Sequence, residues 1–100
     1  MTEAAPVNDP SGTRWQQAAG VVQAQMAPGQ TALLHLATAR YHAMNEVGSR
    51  IWALLEHPQT LAALCTTLCE EYDIDAERCA SEVAAYLASL HADQLVEPLP

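Results

Sequence analysis

Three cysteines, four histidines and a short run of acids are the residues of this chain with chemistry to offer. Cys65 and Cys69 stand four apart, the spacing that places two side chains on one face of a helix, and Cys79 follows further along. A structural metal would want such thiols in close CxxC-type pairs or beside a histidine. No CxxC is present, and His35, His42, His57 and His91 are scattered away from them. Cys65 and Cys69 instead fall inside an apolar stripe, so they read as buried thiols. A nucleophilic site would need a Cys or Ser with a His and an orienting acid, and nothing in the order of residues advertises one. GxGxxG, GxxxxGK[ST] and HExxH are all missing. Glu70, Glu71, Asp73 and Asp75 lack the regular oxygen spacing of a calcium loop and read as helix-end solvation and capping. The expectation is a protein with no catalytic residues, no metal and no cofactor.

Composition narrows the partners. The formal charge is −8 over 100 residues, and the four cations are all arginines, Arg14, Arg40, Arg50 and Arg78. Few cations are available to meet phosphates, so nucleic acid and anionic membrane surfaces are poor partners, while a neutral or basic one is permitted. The N-terminus lacks a basic start and an apolar core of the secretory kind, and no apolar run reaches the roughly 18–20 residues of a membrane span. Cysteine usage is odd-numbered, which fits thiols in a reducing compartment. These readings point to the cytoplasm and to one domain.

The elements that would position a site follow from hydrophobic period. Residues 1–14 are rich in Pro, Asn, Asp, Ser and Gly and read as a flexible tail. Val22, Ala24 and Met26 alternate with Gln23 and Gln25, the period of a half-buried strand. Pro28-Gly29 suits a type II turn over residues 27–30. TALLHLA is a second strand, with Leu34 and Leu36 on one face and Leu33 and His35 on the other. A turn at ATAR leads into RYHAM, a third strand, in which Arg40 and His42 guard the edge mildly and Tyr41 and Ala43 do not.

Helices occupy the second half. Asn45 caps the first, whose stripe is Val47, Ile51, Leu54 and Leu55 with Trp52 on its flank, and His57-Pro58 stops it. Gly48 within it costs about 1 kcal/mol relative to alanine, so it implies a close approach. Thr60 caps a second helix striped by Leu61, Leu64, Cys65, Leu68, Cys69 and Tyr72. Asp75 caps a third, with Ala76, Ala80, Val83, Leu87 and Leu90 facing inward and Cys79, Glu82 and Tyr86 on one flank. QLVE reads as an extended return, and residues 98–100 as a C-terminal tail. The fold class is α+β, a three-stranded antiparallel sheet followed by three helices (βββααα).

Taken together, LLHLATARYHAMNEVGSRIWALLE, TLAALCTTLCEEYDID and EVAAYLASLHADQLVE resemble the PqqD-like peptide-recognition family, in particular the stand-alone leader-binding protein of lasso-peptide biosynthesis. The resemblance spans about residues 20–97 within a domain over 15–97. It implies a winged-helix-like, non-catalytic domain that binds the leader of a ribosomally made precursor peptide by strand addition at the third strand. It further implies presentation of that precursor to a leader-cleaving cysteine protease and an ATP-dependent macrocyclase. Carried over by element, Arg40, Tyr41, His42, Ala43 and Met44 on the strand and Cys79, Glu82, Val83 and Tyr86 on the third helix become the candidate peptide contacts. Two departures stand out. The turn ATAR lacks the glycine often seen there in the family, and the three cysteines are outside its pattern. Alternatives are a PqqD-like chaperone for a radical-SAM enzyme in another peptide pathway and a winged-helix nucleic-acid binder, the latter opposed by the charge. A free edge also allows an edge-mediated or domain-swapped homodimer.

Overall fold

A computed structural model describes residues 12–99. The expected flexible tail at residues 1–14 lies for the most part outside the described residues. Among the described residues there are six strands and three helices. They are β1 (Arg14–Gln17), β2 (Val21–Ala27), β3 (Gln30–His35), β4 (Arg40–Met44), α1 (Glu46–Leu54), β5 (Gln59–Thr60), α2 (Leu61–Glu71), α3 (Ala76–Ala92) and β6 (Val96–Leu99). The strands form two antiparallel sheets, in the orders β2-β3-β4 and β5-β1-β6.

The meander β2-β3-β4 and the three helices stand where periodicity places them. Gly29 has φ +74, the left-handed conformation that the third residue of a type II turn requires. All three helix caps are made. Asn45 Oδ1 accepts from Gly48 N at 2.9 Å, Thr60 Oγ1 from Ala63 N at 3.0 Å and Asp75 Oδ2 from Arg78 N at 3.0 Å. Each satisfies one of the donors that a helix start leaves open.

The α+β class, with a three-stranded antiparallel sheet and three helices, is as expected, and a second sheet is added to it. Arg14 pairs with Thr60 and Leu99, and Trp15 with Gln59 and Pro98, so β1 lies between two short strands, β5 from between α1 and α2 and β6 from after α3. Residues 98 and 99 therefore belong to a strand and not to a tail, and Arg14 opens β1. Pro98 disguised the strand. It sits on an edge, where a missing N–H breaks no ladder.

Two faces also differ from expectation. The register Gln23–Leu33–His42 turns Gln23 toward the helices, where its Oε1 accepts from Trp52 Nε1 at 2.7 Å. A buried indole N–H needs such an acceptor, and Gln23 supplies it from the helix-facing side while itself remaining exposed, with Val22 and Ala24 on the opposite face. On α3 the buried residues are Cys79, Val83, Leu87 and Leu90, while Ala76 is exposed and Ala80 half-buried. The stripe starts at Cys79 because that residue, and not Ala76, meets α2.

Between the layers lies one core, with Trp15, Leu33, Ile51, Trp52, Leu55, Leu64, Leu68, Leu87, Leu95 and Val96 all buried. Burying each such side chain contributes about 1.5–3 kcal/mol, so this core is what fixes α3 against α1 and α2.

Candidate functional site

A strand edge is a site only if it is left open, and the two sheets have four edges. β2 is broken by a register shift between Gln25 and Ala27. β5 has two residues. β6 carries Glu97 and Pro98. Bulges, brevity, charge and proline are the usual ways of closing an edge to further pairing. β4 has neither bulge nor proline, and its guard is slight. Its five residues hold no proline and no acid, it pairs in regular register with β3 alone, and its single charge is Arg40 at the first position. Among the described residues its outer backbone groups therefore face no partner strand.

Along β4 the side chains alternate. Tyr41 and Ala43 point to the outer face and are exposed, and Met44 is buried. His42 points inward, with Nδ1 3.6 Å from Asp93 Oδ2, and its Nε2 is buried without a hydrogen-bond partner. Asp93 is the C-cap residue of α3, so this contact sets the end of α3 beside the strand. The turn before β4 is built on a second histidine. His35 Nδ1 accepts from Ala37 N at 3.2 Å and from Thr38 N at 3.4 Å, and Ala39 adopts φ +58. The turn thus forms without the glycine whose absence the sequence raised, with an alanine held in a left-handed conformation instead.

From Met44 the chain passes through Asn45 directly into the wall of an open pocket of about 330 Å³. Val47, Gly48 and Ile51 of α1 form one side. Cys79, Glu82, Val83 and Tyr86 of α3 form the other, and Leu68 and Ile74 close the end toward α2. All four candidate residues of α3 therefore converge on one cavity, whereas none of Arg40–Met44 lines it. The edge and the pocket are neighbours joined through Asn45. The α1 side was missed in sequence, apart from the signal at Gly48. A Cβ there would lie 2.5 Å from Tyr86 Oη, so the close approach that this glycine permits is to a side chain of α3.

The pocket is mostly apolar, with Asn45, Glu82 and Tyr86 as its polar lining residues. Burial pushes the Tyr86 hydroxyl up from its ordinary acidity and keeps it a donor. Glu82 stands at the rim, paired to Arg78 Nε at 2.8 Å across one exposed helical turn. Burial likewise raises the Cys79 thiol. Among the described residues no group of three or more His, Cys, Asp or Glu is arranged to hold a metal ion, and no helix is long and apolar enough to cross a membrane.

The outer face of the β2-β3-β4 sheet is a second unpartnered surface. Val22, Leu34 and Tyr41 align across the three strands, as do Ala24, Ala32 and Ala43. Val22, Met26, Leu36 and Tyr41 are 50%, 69%, 60% and 77% exposed. No acid lies between Val21 and Met44. This face is therefore an apolar surface without acidic residues on a small acidic protein.

Comparison with known proteins places this geometry. Residues 30–96 match the family described as coenzyme PQQ synthesis protein D, PqqD. The fold is similar to the solved structure of TbiB1 in complex with the TbiA(beta) leader peptide, with 32% sequence identity, a TM-score of 0.76 and coverage of 82% of this chain and 94% of that one. No curated protein sequence matches.

Proposed function

Because the chain belongs to the PqqD family, we propose that it binds the leader segment of a ribosomally made precursor peptide, of the lasso type, without catalysing a reaction on it. The observation that carries this reading is the open edge of β4 beside the α1/α3 pocket. A peptide laid along Arg40–Met44 gains backbone hydrogen bonds from the edge. Its next residues reach the pocket lined by Cys79, Glu82, Val83 and Tyr86, where an apolar side chain is selected by shape. TbiB1, solved with a leader peptide, supports the class of ligand.

The apolar face of the sheet supplies the second half of the role. A peptide added to β4 becomes the fourth strand of that sheet, so its alternate side chains extend the row of Val22, Leu34 and Tyr41. A leader-cleaving cysteine protease docking on this face meets sheet and peptide together, and an ATP-dependent macrocyclase then receives the trimmed precursor. The site works in the cytoplasm. In the absence of peptide, the same edge pairs with β4 of a second copy at high concentration, which sedimentation detects as a dimer that dissolves when peptide is added.

The direct test is a fluorescence-anisotropy titration with a labelled leader peptide, repeated with Ala43→Pro. Saturable binding that the proline weakens at least tenfold is expected. Binding indifferent to the proline would remove strand addition at β4. Failure of the folded protein to bind any leader would remove the reading itself.

A further inference from the structure

A second open pocket, also of about 330 Å³, lies along α1 and shares no lining residue with the first. Helix α1 packs on β3 and β4, while Gln23 and Gln25 on the helix-facing side of β2 stay exposed. Strand β2 thus turns glutamines toward the protein and Val22, Ala24 and Met26 away from it. Trp52 accounts for Gln23, whose Oε1 takes the indole N–H at 2.7 Å. It does not account for Gln25, which lines the same pocket beside Thr31 of β3.

The facing wall is charged. A Cβ on Gly29 would lie 3.4 Å from Glu46 Cγ, so the Glu46 side chain lies across the turn between β2 and β3. Burial raises the Tyr72 hydroxyl, and the nearby Glu46 carboxylate raises it further. Arg50 also lines the pocket, but Glu71 takes its guanidinium through two hydrogen bonds, at 2.8 and 2.6 Å. With that cation neutralised, Glu46 sets the sign of the wall. Its full negative charge exceeds the opposing half charge, roughly, of the α1 start. The chain as a whole carries −8, which repels anions further.

We propose that this pocket takes the guanidinium of an arginine side chain carried by a partner chain. Its acceptors come from three elements: the Gln25 amide oxygen on β2, the Thr31 hydroxyl on β3, and Glu46 and Ser49 on α1. The Ser49 hydroxyl donates to Met44 O at 3.3 Å and keeps its lone pairs free to accept. Acceptors spread in this way suit a planar group with five N–H donors better than a point ammonium. The Tyr72 ring adds an aromatic surface that favours a guanidinium. A partner chain is inferred from the other face of β2, where Val22 and Met26 are 50% and 69% exposed. A protein covering that face reaches Gln25 around the edge of the sheet. The register shift between Gln25 and Ala27 closes this edge to strand pairing, so contact here is made through side chains. A peptide on β4 would lie two strands away, and the arginine site does not depend on it.

The probe is Nα-acetyl-arginine N-methylamide, titrated into the isotope-labelled full chain and followed by amide NMR. Saturable shifts of the Gln25 side-chain amide and of the Thr31 and Ser49 backbone amides are expected. Glu46→Gln is expected to weaken the affinity at least fivefold, and Gln25→Ala two- to threefold, in chains whose spectra are otherwise unchanged. The citrulline analogue, similar in shape and uncharged, is expected to bind at least tenfold more weakly, and the lysine analogue at least threefold. Equal binding of either analogue would overturn the proposal, as would an affinity unchanged by both substitutions. Shifts centred on Glu82 would place the cation in the other pocket and overturn it. Shifts that spread over Glu70, Asp73 and Glu77 without saturating would show general attraction to an acidic surface and overturn it too. Tighter binding of spermidine than of the arginine probe would replace the partner's side chain with a free polyamine and overturn the partner.

Discussion

The hydroxyl of Tyr86 occupies the space in which a side chain on Gly48 would begin, 2.5 Å from where its Cβ would lie. This single contact couples α1 to α3 across the mouth of the pocket. Gly48→Ala gains about 1 kcal/mol of helix propensity but displaces the Tyr86 ring, whose outer ring carbon would also stand 3.1 Å away. The two effects nearly cancel in stability, and a melting curve is expected to move little. Leader affinity falls at least fivefold, because the displaced ring intrudes on the pocket. Combining the change with Tyr86→Ala abolishes the additional loss caused by the alanine.

The turn before β4 holds Ala39 in a left-handed conformation, φ +58. An L-residue there costs on the order of 1 kcal/mol more than glycine. Ala39→Gly is expected to stabilise the protein by about 0.5–1 kcal/mol. The check is a higher urea midpoint with an unchanged slope. A lower midpoint would show that the His35-centred turn already fits alanine.

Met26 stands on the outer face of the sheet and away from β4. Met26→Glu is expected to leave folding within about 0.5 kcal/mol, as exposed substitutions do, and to leave leader binding unchanged. Cleavage of the bound precursor by the cognate protease falls at least tenfold. Unaltered cleavage would show that the enzyme approaches from elsewhere.

Glu71 receives two hydrogen bonds from Arg50, at 2.8 and 2.6 Å, bridging α2 to α1. The hydrogen-bonded Arg50 guanidinium holds the Glu71 carboxyl below its ordinary value of 4.5. Its pKa is thus lower in the folded protein, so the stabilisation is present above the ordinary value and lost as pH falls through the folded one. The pair is exposed, and the effect is small. Glu71→Gln is expected to melt slightly lower than the parent at pH 7 and at the same temperature near pH 2.

Most of the site's frame is legible in residue order, and the gaps have identifiable causes. Asn45, Thr60 and Asp75 announce their helices because a cap is a local interaction. The pairing of β3 with β4 follows from two short apolar runs and a turn. Which face of β2 turns to the helices was not legible, since Val22-Gln23-Ala24-Gln25-Met26 alternates equally well either way. The choice is made by Trp52, 29 residues distant, whose indole N–H takes Gln23. The second sheet escaped notice because β1, β5 and β6 are each four residues or fewer and are joined only by contacts across the length of the chain. Convergence of Cys79, Glu82, Val83 and Tyr86 on one cavity was readable from helical phase, but the opposing wall of Val47 and Ile51 depended on how α1 leans against α3.

The placement of β1 between β5 and β6 sets an order of events during synthesis. The meander β2-β3-β4 pairs only with itself and is complete once Met44 has emerged. β1 is made before it, yet its two neighbours, Gln59–Thr60 and Val96–Leu99, both follow much later, so its sheet is complete only with the second of them. The sheet that carries the open edge is thus built from contiguous residues, while the sheet that holds Trp15 is assembled from three separate parts of the chain.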